Sequence, residues 1–195
     1  MKEERGKVIV IVAPSGTGKS TLIKKVKTTY PELYWSVSCT TRPARPGEED
    51  GKDYFFLSKH EFEKKIDQKD YIEWALVHGH YYGTSKSFID SQLDQGYFVL
   101  ADLDVQGADA MRAHLKDDTV CIFITPPGPQ DLEKRLRKRA TDSEEVIQIR
   151  LKNAREELKR KNDYDYLVVN DEIEKAYKKL CDIISDVMGA SRVEN

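Results

Sequence analysis

Short apolar runs alternate with amphipathic segments along most of the chain. Three runs without polar alternation, residues 7–13, 97–103 and 120–125, are typical of strands buried on both faces, and 164–169 is a fourth candidate. Helical periodicity predicts helices over residues 19–28, 88–95, 106–115, 130–138, 144–161 and 172–188. Strands that alternate with helices predict an α/β fold, with a central parallel sheet flanked by helices.

The predicted helix over residues 144–161 has the clearest core-facing stripe. Ile147, Leu151, Ala154 and Leu158 recur on one side of it, which predicts a packing face and no chemistry. Thr141 followed by Glu144 resembles a capping box, so we expect the helix to start there.

Residues 36–86 break the alternation of strands and helices. This stretch is rich in proline, glycine and aromatic residues, and runs such as 53–57 suit small antiparallel strands. We therefore interpret it as an inserted subdomain.

Composition narrows the class of protein. The chain has 195 residues, 39% of them hydrophobic, which suits one domain with an insertion. Its 32 Lys and Arg nearly balance 34 Asp and Glu, so no global field attracts nucleic acid or membranes. The apolar run of residues 8–13 is too short for a membrane span or a secretory signal. Three scattered cysteines indicate neither disulfides nor zinc, which favours a cytoplasmic location.

A phosphate-binding loop lies between the first predicted strand and the first predicted helix, which is the context that the pattern GxxxxGK[ST] requires. Backbone N–H groups of such a loop wrap phosphate oxygens. Lys19 would reach the β and γ phosphates, and the Ser20 hydroxyl would bind Mg²⁺. Ala13 replaces the first glycine of the pattern, which is tolerable if the φ of Ala13 is negative.

The alternative interpretation of this loop is an ordinary turn before a helix. The predicted ATP-binding loop comprises Ala13, Pro14, Ser15, Gly16, Thr17, Gly18, Lys19, Ser20 and Thr21.

Asp102 ends the predicted strand of residues 97–103 with a carboxylate. Ligands gather at the carboxyl edge of parallel sheets, so Asp102 is a candidate to hold a metal-bound water. The alternative is that Asp102 caps the following helix.

Two basic segments suggest further anion contacts. Arg42 and Arg45, together with two tyrosines, would clamp a monophosphate, although a solvated basic loop is equally compatible with these residues. The helix of residues 130–139 is strongly basic, and alone it would fit a nucleic-acid patch or a solvated face. Its position near a phosphate loop favours a lid over a triphosphate.

The ordered set of motifs resembles the guanylate kinase family from Lys7 to Val187. The motifs are the phosphate loop and residues 36–48, 51–54, 71–74, 79–84, 103–108, 135–143 and 164–171. The resemblance implies the fold of a P-loop nucleoside monophosphate kinase with three parts. These are a nucleotide-binding core (residues 1–35, 87–125 and 160–195), a GMP-binding insertion (36–86) and a lid with its flanking helices (126–159).

The resemblance also implies roles for individual residues. The GMP phosphate falls on Arg42, Arg45, Tyr54 and Tyr82, and the guanine on Ser38, Glu73, Thr84 and Asp104. Arg135, Arg139 and Arg150 fall on the phosphates and Asn170 near the adenine, and the catalytic set is Lys19, Arg42, Arg135 and Arg150. Independently, one carboxylate can accept both N1–H and N2–H₂ of guanine, whereas adenine has an acceptor at N1. Ala44, His80 and Ala140 depart from the usual family pattern without removing a ligand.

The implied activity is Mg²⁺-dependent transfer of the ATP γ-phosphoryl group to GMP, and to dGMP, in purine nucleotide metabolism. ATP and GMP are the expected partners, with no nucleic acid, membrane or obligate protein partner, and the oligomeric state is open. Two alternatives stay open: a scaffold-type guanylate-kinase-like binding module, and a kinase for another acceptor such as AMP or CMP. The intact phosphate loop opposes the first, and Glu73 with Asp104 and Ser38 opposes the second.

Overall fold

The computed structural model describes residues 5–77, 79–138 and 143–193. Its strands are β1 (Val8–Val12), β2 (Tyr34–Trp35), β3 (Cys39–Thr40), β4 (Phe55–Phe56), β5 (Tyr71–Val77), β6 (His80–Ser85), β7 (Val99–Leu103), β8 (Thr119–Thr125) and β9 (Tyr166–Val169). Its helices are α1 (Lys19–Thr29), α2 (Lys59–Asp67), α3 (Lys86–Asp94), α4 (Val105–Leu115), α5 (Pro129–Lys138), α6 (Glu144–Lys159) and α7 (Ile173–Val193). In these ranges no helix is long and apolar enough to cross a bilayer.

A parallel five-stranded sheet, in the order β2-β7-β1-β8-β9, forms the centre of the molecule. All five residues of β1 are buried because its two faces pack against different layers. Ile9 and Ile11 join a core with α1 and α7, whereas Val8 and Val10 join a core with α3 and α4. The predicted α/β class, with helices on both faces, is confirmed.

A separate four-stranded sheet, in the order β4-β3-β6-β5, forms within residues 39–85. β3 and β5 each pair antiparallel with β6, as the sequence predicted for small strands in this stretch. The prediction is wrong for β4, which pairs parallel with β3. The reason is that residues 41–54 form a long loop that returns the chain in its original direction, where a hairpin would have reversed it.

Helix α2 was missing from the predicted elements. Ser58 and Glu61 form its capping box, in which the Ser58 side chain accepts from Glu61 N–H and the Glu61 side chain accepts from Ser58 N–H. Phe62 anchors the helix, because it is fully buried and stacks on the rings of Tyr71 and Tyr81 at centroid distances of 4.3 and 5.1 Å.

Helices α5 and α6 share a small core of their own. The predicted stripe is confirmed, since Ile147, Leu151 and Ala154 are buried against Leu132 and Leu136 of α5, and the half-buried Leu158 packs on the same cluster. The predicted capping box is wrong: Ser143 caps α6 by accepting from Val146 N–H, which makes Glu144 the first helical residue. Thr141 itself lies outside the described residues, as does Ala140.

Candidate active site

The loop between β1 and α1 has the backbone that phosphate binding requires. Gly16 and Gly18 have φ values of 90° and 89°, a region that side chains rarely adopt. A Cβ atom added at Gly16 would lie 2.9 Å from a Leu136 methyl carbon. A Cβ atom added at Gly18 would lie 2.6 Å from the Asn170 amide nitrogen. Ala13 has no positive φ, so its methyl group meets the condition set from the sequence. These features fit a phosphate-binding loop, and phosphate binding there stays a prediction.

Lys19 lies at the carboxyl edge of the parallel sheet. Its Nζ atom is 2.5 Å from Asp102 Oδ1 and donates to the Leu103 carbonyl at 3.2 Å. Asp102 therefore does not cap the next helix; that residue is Asp104, whose carboxylate accepts from Gly107 N–H at 2.7 Å. The capping interpretation of Asp102 is wrong, and its role beside a metal stays a prediction.

Ser20 and Asp102 fit a magnesium site by the chemistry of their donors. Both present oxygen atoms, the ligand type that Mg²⁺ prefers, and Ser20 and Thr21 are exposed in the first turn of α1. In the part of the chain that the structure describes, no group of three or more His, Cys, Asp or Glu side chains forms a metal site.

Arg135 and Asn170 reach the phosphate loop from two other elements. Asn170 Nδ2 donates to the Thr17 carbonyl at 2.6 Å, and Arg135 donates to the same carbonyl at 3.4 Å and to the Asp171 carbonyl at 3.3 Å. With Gly16 and Gly18, these residues line a cleft of about 280 Å³. The structure thus brings together two of the residues that the resemblance assigns to ATP.

Asn170 has a structural task that the sequence did not reveal. It is 3% exposed, and its amide braces the loop directly. Arg150 lies half-buried on α6, and Arg139 lies outside the described residues, so their proposed contacts with phosphate stay predictions.

A half-buried carboxylate lies on the four-stranded sheet. Glu73 and Thr84 are cross-strand partners in β5 and β6, and Thr84 Oγ1 donates to Glu73 Oε1 at 2.7 Å. Burial raises the pKa of Glu73; the Thr84 hydrogen bond opposes this increase, and the nearby charge of Asp104 adds to it. Three of the four predicted guanine contacts are therefore neighbours. Ser38, the fourth, is half-buried just before β3.

Arg42 lies among aromatic rings beside this sheet. Its guanidinium carbon is 5.4 Å from the centroid of the Tyr54 ring, which is 6.0 Å from that of Tyr82. Hydrogen bonds from Arg42 to Glu48 and, secondarily, to Tyr82 raise the pKa of Arg42. The Arg42 side chain is only 12% exposed, which excludes the solvated-loop interpretation for this residue, whereas Arg45 is exposed on the same loop.

Comparison with known proteins tests to which family the chain belongs. The guanylate kinase family model matches residues 5–187. The guanylate kinase of Thermotoga maritima is 44% identical over 180 residues, which is 92% of this chain and 86% of the relative. That of Sulfurimonas denitrificans is 44% identical over 194 residues, covering 100% of this chain and 92% of the relative.

A solved structure is similar over nearly the same length. The crystal structure of guanylate kinase from Anaplasma phagocytophilum superimposes with a TM-score of 0.66 at 32% identity, covering 93% of this chain and 85% of that one. A phosphate loop, a separate sheet with a half-buried carboxylate and these extended similarities lead to one conclusion: the chain belongs to the guanylate kinase family.

Proposed function

We propose that this protein transfers the γ-phosphoryl group of ATP to GMP, giving ADP and GDP. The observation that carries the proposal is the Glu73–Thr84 pair, facing Asp104, in the same molecule as an intact phosphate loop. The loop would bind the triphosphate of the donor, and the Glu73–Thr84 pair would bind the base of the acceptor. We also propose dGMP as an acceptor and purine nucleotide recycling in the cytoplasm as the setting.

The donor half of the reaction depends on the phosphate loop and the residues around it. Backbone N–H groups of residues 14–20 and the start of α1 hold phosphate oxygens, and Lys19 approaches the β and γ phosphates. Ser20 directly and Asp102 through water are the residues that would hold Mg²⁺, which would help to neutralise the charge of the ATP phosphates. Arg135, already at the loop, adds positive charge where the γ-phosphoryl group leaves.

The acceptor half depends on the match between Glu73 and the edge of guanine. Thr84 fixes one carboxylate oxygen of Glu73. The carboxylate then accepts from guanine N1–H and N2–H₂, which compensates the cost of keeping it ionised away from water. Adenine would turn a lone pair toward the same carboxylate, so the site discriminates against AMP by about 100-fold or more.

Phosphoryl transfer needs alignment more than covalent chemistry. Arg42, Tyr54 and Tyr82 hold the GMP phosphate so that its oxygen attacks in line, and positive groups stabilise the charge on the equatorial oxygens. We propose that residues 36–86 act as the GMP-binding unit and residues 126–159 as the lid that excludes water.

The test is ADP release in a coupled assay, with ATP and Mg²⁺ and with GMP, dGMP, AMP, CMP or UMP offered separately. We expect turnover with GMP and dGMP, little with the other acceptors, and almost none without an acceptor. Lys19→Met is the control for contaminating kinases, because it removes the cation from the loop. Turnover with another acceptor would contradict the guanine site, and no turnover with any would favour a binding module.

A further inference from the structure

Glu48 joins the two arginines of the phosphate clamp, although the sequence marked it only as part of a motif. Its Oε1 accepts from Arg42 Nη2 at 2.8 Å, and its Oε2 accepts from the Arg45 backbone N–H at 2.7 Å. The Glu48 backbone N–H in turn donates to the Arg45 carbonyl at 3.0 Å. One carboxylate therefore closes residues 42–48 into a turn.

These contacts fix a side chain that would otherwise move. Arg42 Nη1 donates to the Pro43 carbonyl at 2.7 Å, and the guanidinium lies 5.4 and 5.8 Å from the ring centroids of Tyr54 and Phe56. A free arginine side chain samples many rotamers, and fixing it costs conformational entropy. Glu48 and Pro43 hold the guanidinium in a fixed orientation, and the remaining N–H groups of Arg42 can donate to a phosphate.

Glu48 is negatively charged, although it lies beside a site that we propose binds a phosphate. The hydrogen bonds from Arg42 and from the Arg45 N–H lower the pKa of Glu48, so it is a carboxylate at neutral pH. A carboxylate beside a bound phosphate dianion repels it. A residue of this charge is therefore useful at the clamp only for the geometry that it imposes.

We propose that Glu48 is a positioning residue, which holds Arg42 and the turn of residues 42–48 in the arrangement that binds the acceptor phosphate. This inference rests on the proposed function, since it takes the clamp as the phosphate site of the acceptor. Glu48 acts through Arg42 and does not contact the substrate.

A double-mutant cycle tests whether Glu48 acts through Arg42. Steady-state kinetics and thermal unfolding are measured for the wild type, Glu48→Ala, Arg42→Ala and the double variant. We expect Glu48→Ala alone to raise KM for GMP about tenfold with KM for ATP within twofold. In the Arg42→Ala background, the same change should leave KM for GMP nearly unaltered, because its partner is already gone.

Two further variants serve as controls. Glu49→Ala removes a neighbouring carboxylate, which pairs with Lys52 at 3.1 Å, and should leave both KM values unchanged. Glu48→Gln keeps one acceptor oxygen without the charge and should give an intermediate KM for GMP.

Three outcomes would overturn the proposal: equal effects of Glu48→Ala on both KM values, an undiminished effect in the Arg42→Ala background, or a lower KM for GMP. Calorimetric titration with GMP measures the same cycle where turnover is too slow. If the wild type uses another nucleoside monophosphate, the proposed function fails. The cycle with that acceptor still tests Glu48, because all these acceptors carry the same phosphate.

Discussion

The proposed binding site for the acceptor base depends on one carboxylate. Glu73 is held by Thr84 at 2.7 Å, and its burial makes an unmatched ligand costly. We expect Glu73→Gln to lower kcat/KM for GMP by about 100-fold or more, because the amide presents a donor to a guanine N–H. KM for ATP should stay within about threefold. Initial rates against both substrates measure this, with the exposed Glu32→Gln as control. Retained GMP activity would reopen the choice of acceptor.

The protonation of Glu73 predicts a pH dependence. Burial raises its pKa, so on acidification this carboxyl takes up a proton earlier than an ordinary glutamate. The neutral acid cannot accept from two guanine donors, so KM for GMP should rise as the pH falls through the pKa of Glu73. A pH profile of kcat/KM for GMP measures this. The profile of Glu73→Gln should lack this acidic limb, and an identical limb in both proteins would contradict the assignment.

At the scale of elements, Asp70 ties the four-stranded sheet to helix α3. It accepts from Lys65 Nζ at 2.6 Å, from Ser87 N–H at 2.9 Å and from Ser85 Oγ at 3.0 Å. Its side chain is 16% exposed. Burial opposes its ionisation, but these hydrogen bonds outweigh burial and lower the pKa of Asp70. The start of α3 is thus anchored to the sheet next to it.

We expect Asp70→Ala to lower the free energy of unfolding by about 2–3 kcal/mol, because Lys65 and two serines lose their acceptor. Urea unfolding measures this, with the exposed Asp67→Ala as the matched control. Because the pKa of Asp70 is depressed on folding, its contribution is present above the unfolded value of about 3.9 and is lost as the pH falls through the folded value. Equal stability of the two variants at neutral pH would refute this role.

The sequence predicted the elements whose burial is uniform or strongly periodic. The all-apolar β1 and the stripe of α6 are of this kind. Helix α2 escaped prediction because it is mostly charged and Phe62 is its one fully buried residue. The parallel pairing of β4 with β3 depends on the path of the loop of residues 41–54. No local sequence pattern predicts that path.

In the candidate site, too, the sequence predicted the local motif and missed the long-range contacts. The phosphate loop is a local motif, so strand, loop and helix could be placed from the sequence alone. The brace from Asn170 to Thr17 joins residues that are 153 positions apart, and the contact from Glu48 to Arg42 depends on a loop turn. Such contacts follow from tertiary packing, and only the structure shows them.

For the whole molecule, one short segment links the two halves of the site. Asp102 at the end of β7 pairs with Lys19 of the phosphate loop, and Leu103 offers its carbonyl to the same lysine. Asp104, the next residue, caps α4 and faces Glu73 of the other sheet. We therefore propose that these three consecutive residues position both the donor site and the acceptor site, so that a shift of this segment would move both.

We propose that Arg135 acts when the lid closes over this site. Arg135 extends from α5 to the Thr17 carbonyl at 3.4 Å, so its guanidinium is already beside the loop that we propose holds the phosphates of ATP. The charge of a loose transition state spreads over the phosphoryl oxygens, and an arginine there contributes about 10³–10⁵ in kcat. We expect Arg135→Ala to lower kcat about 1,000-fold with KM for GMP within about threefold, whereas the exposed neighbour Lys134→Ala should change neither. Single-turnover rates with saturating ATP and GMP separate this loss from slow product release. If the single-turnover rate of Arg135→Ala were unchanged, the proposed role in phosphoryl transfer would be wrong. Arg135 would then only brace the loop, since the two bound substrates would align their phosphates in its absence.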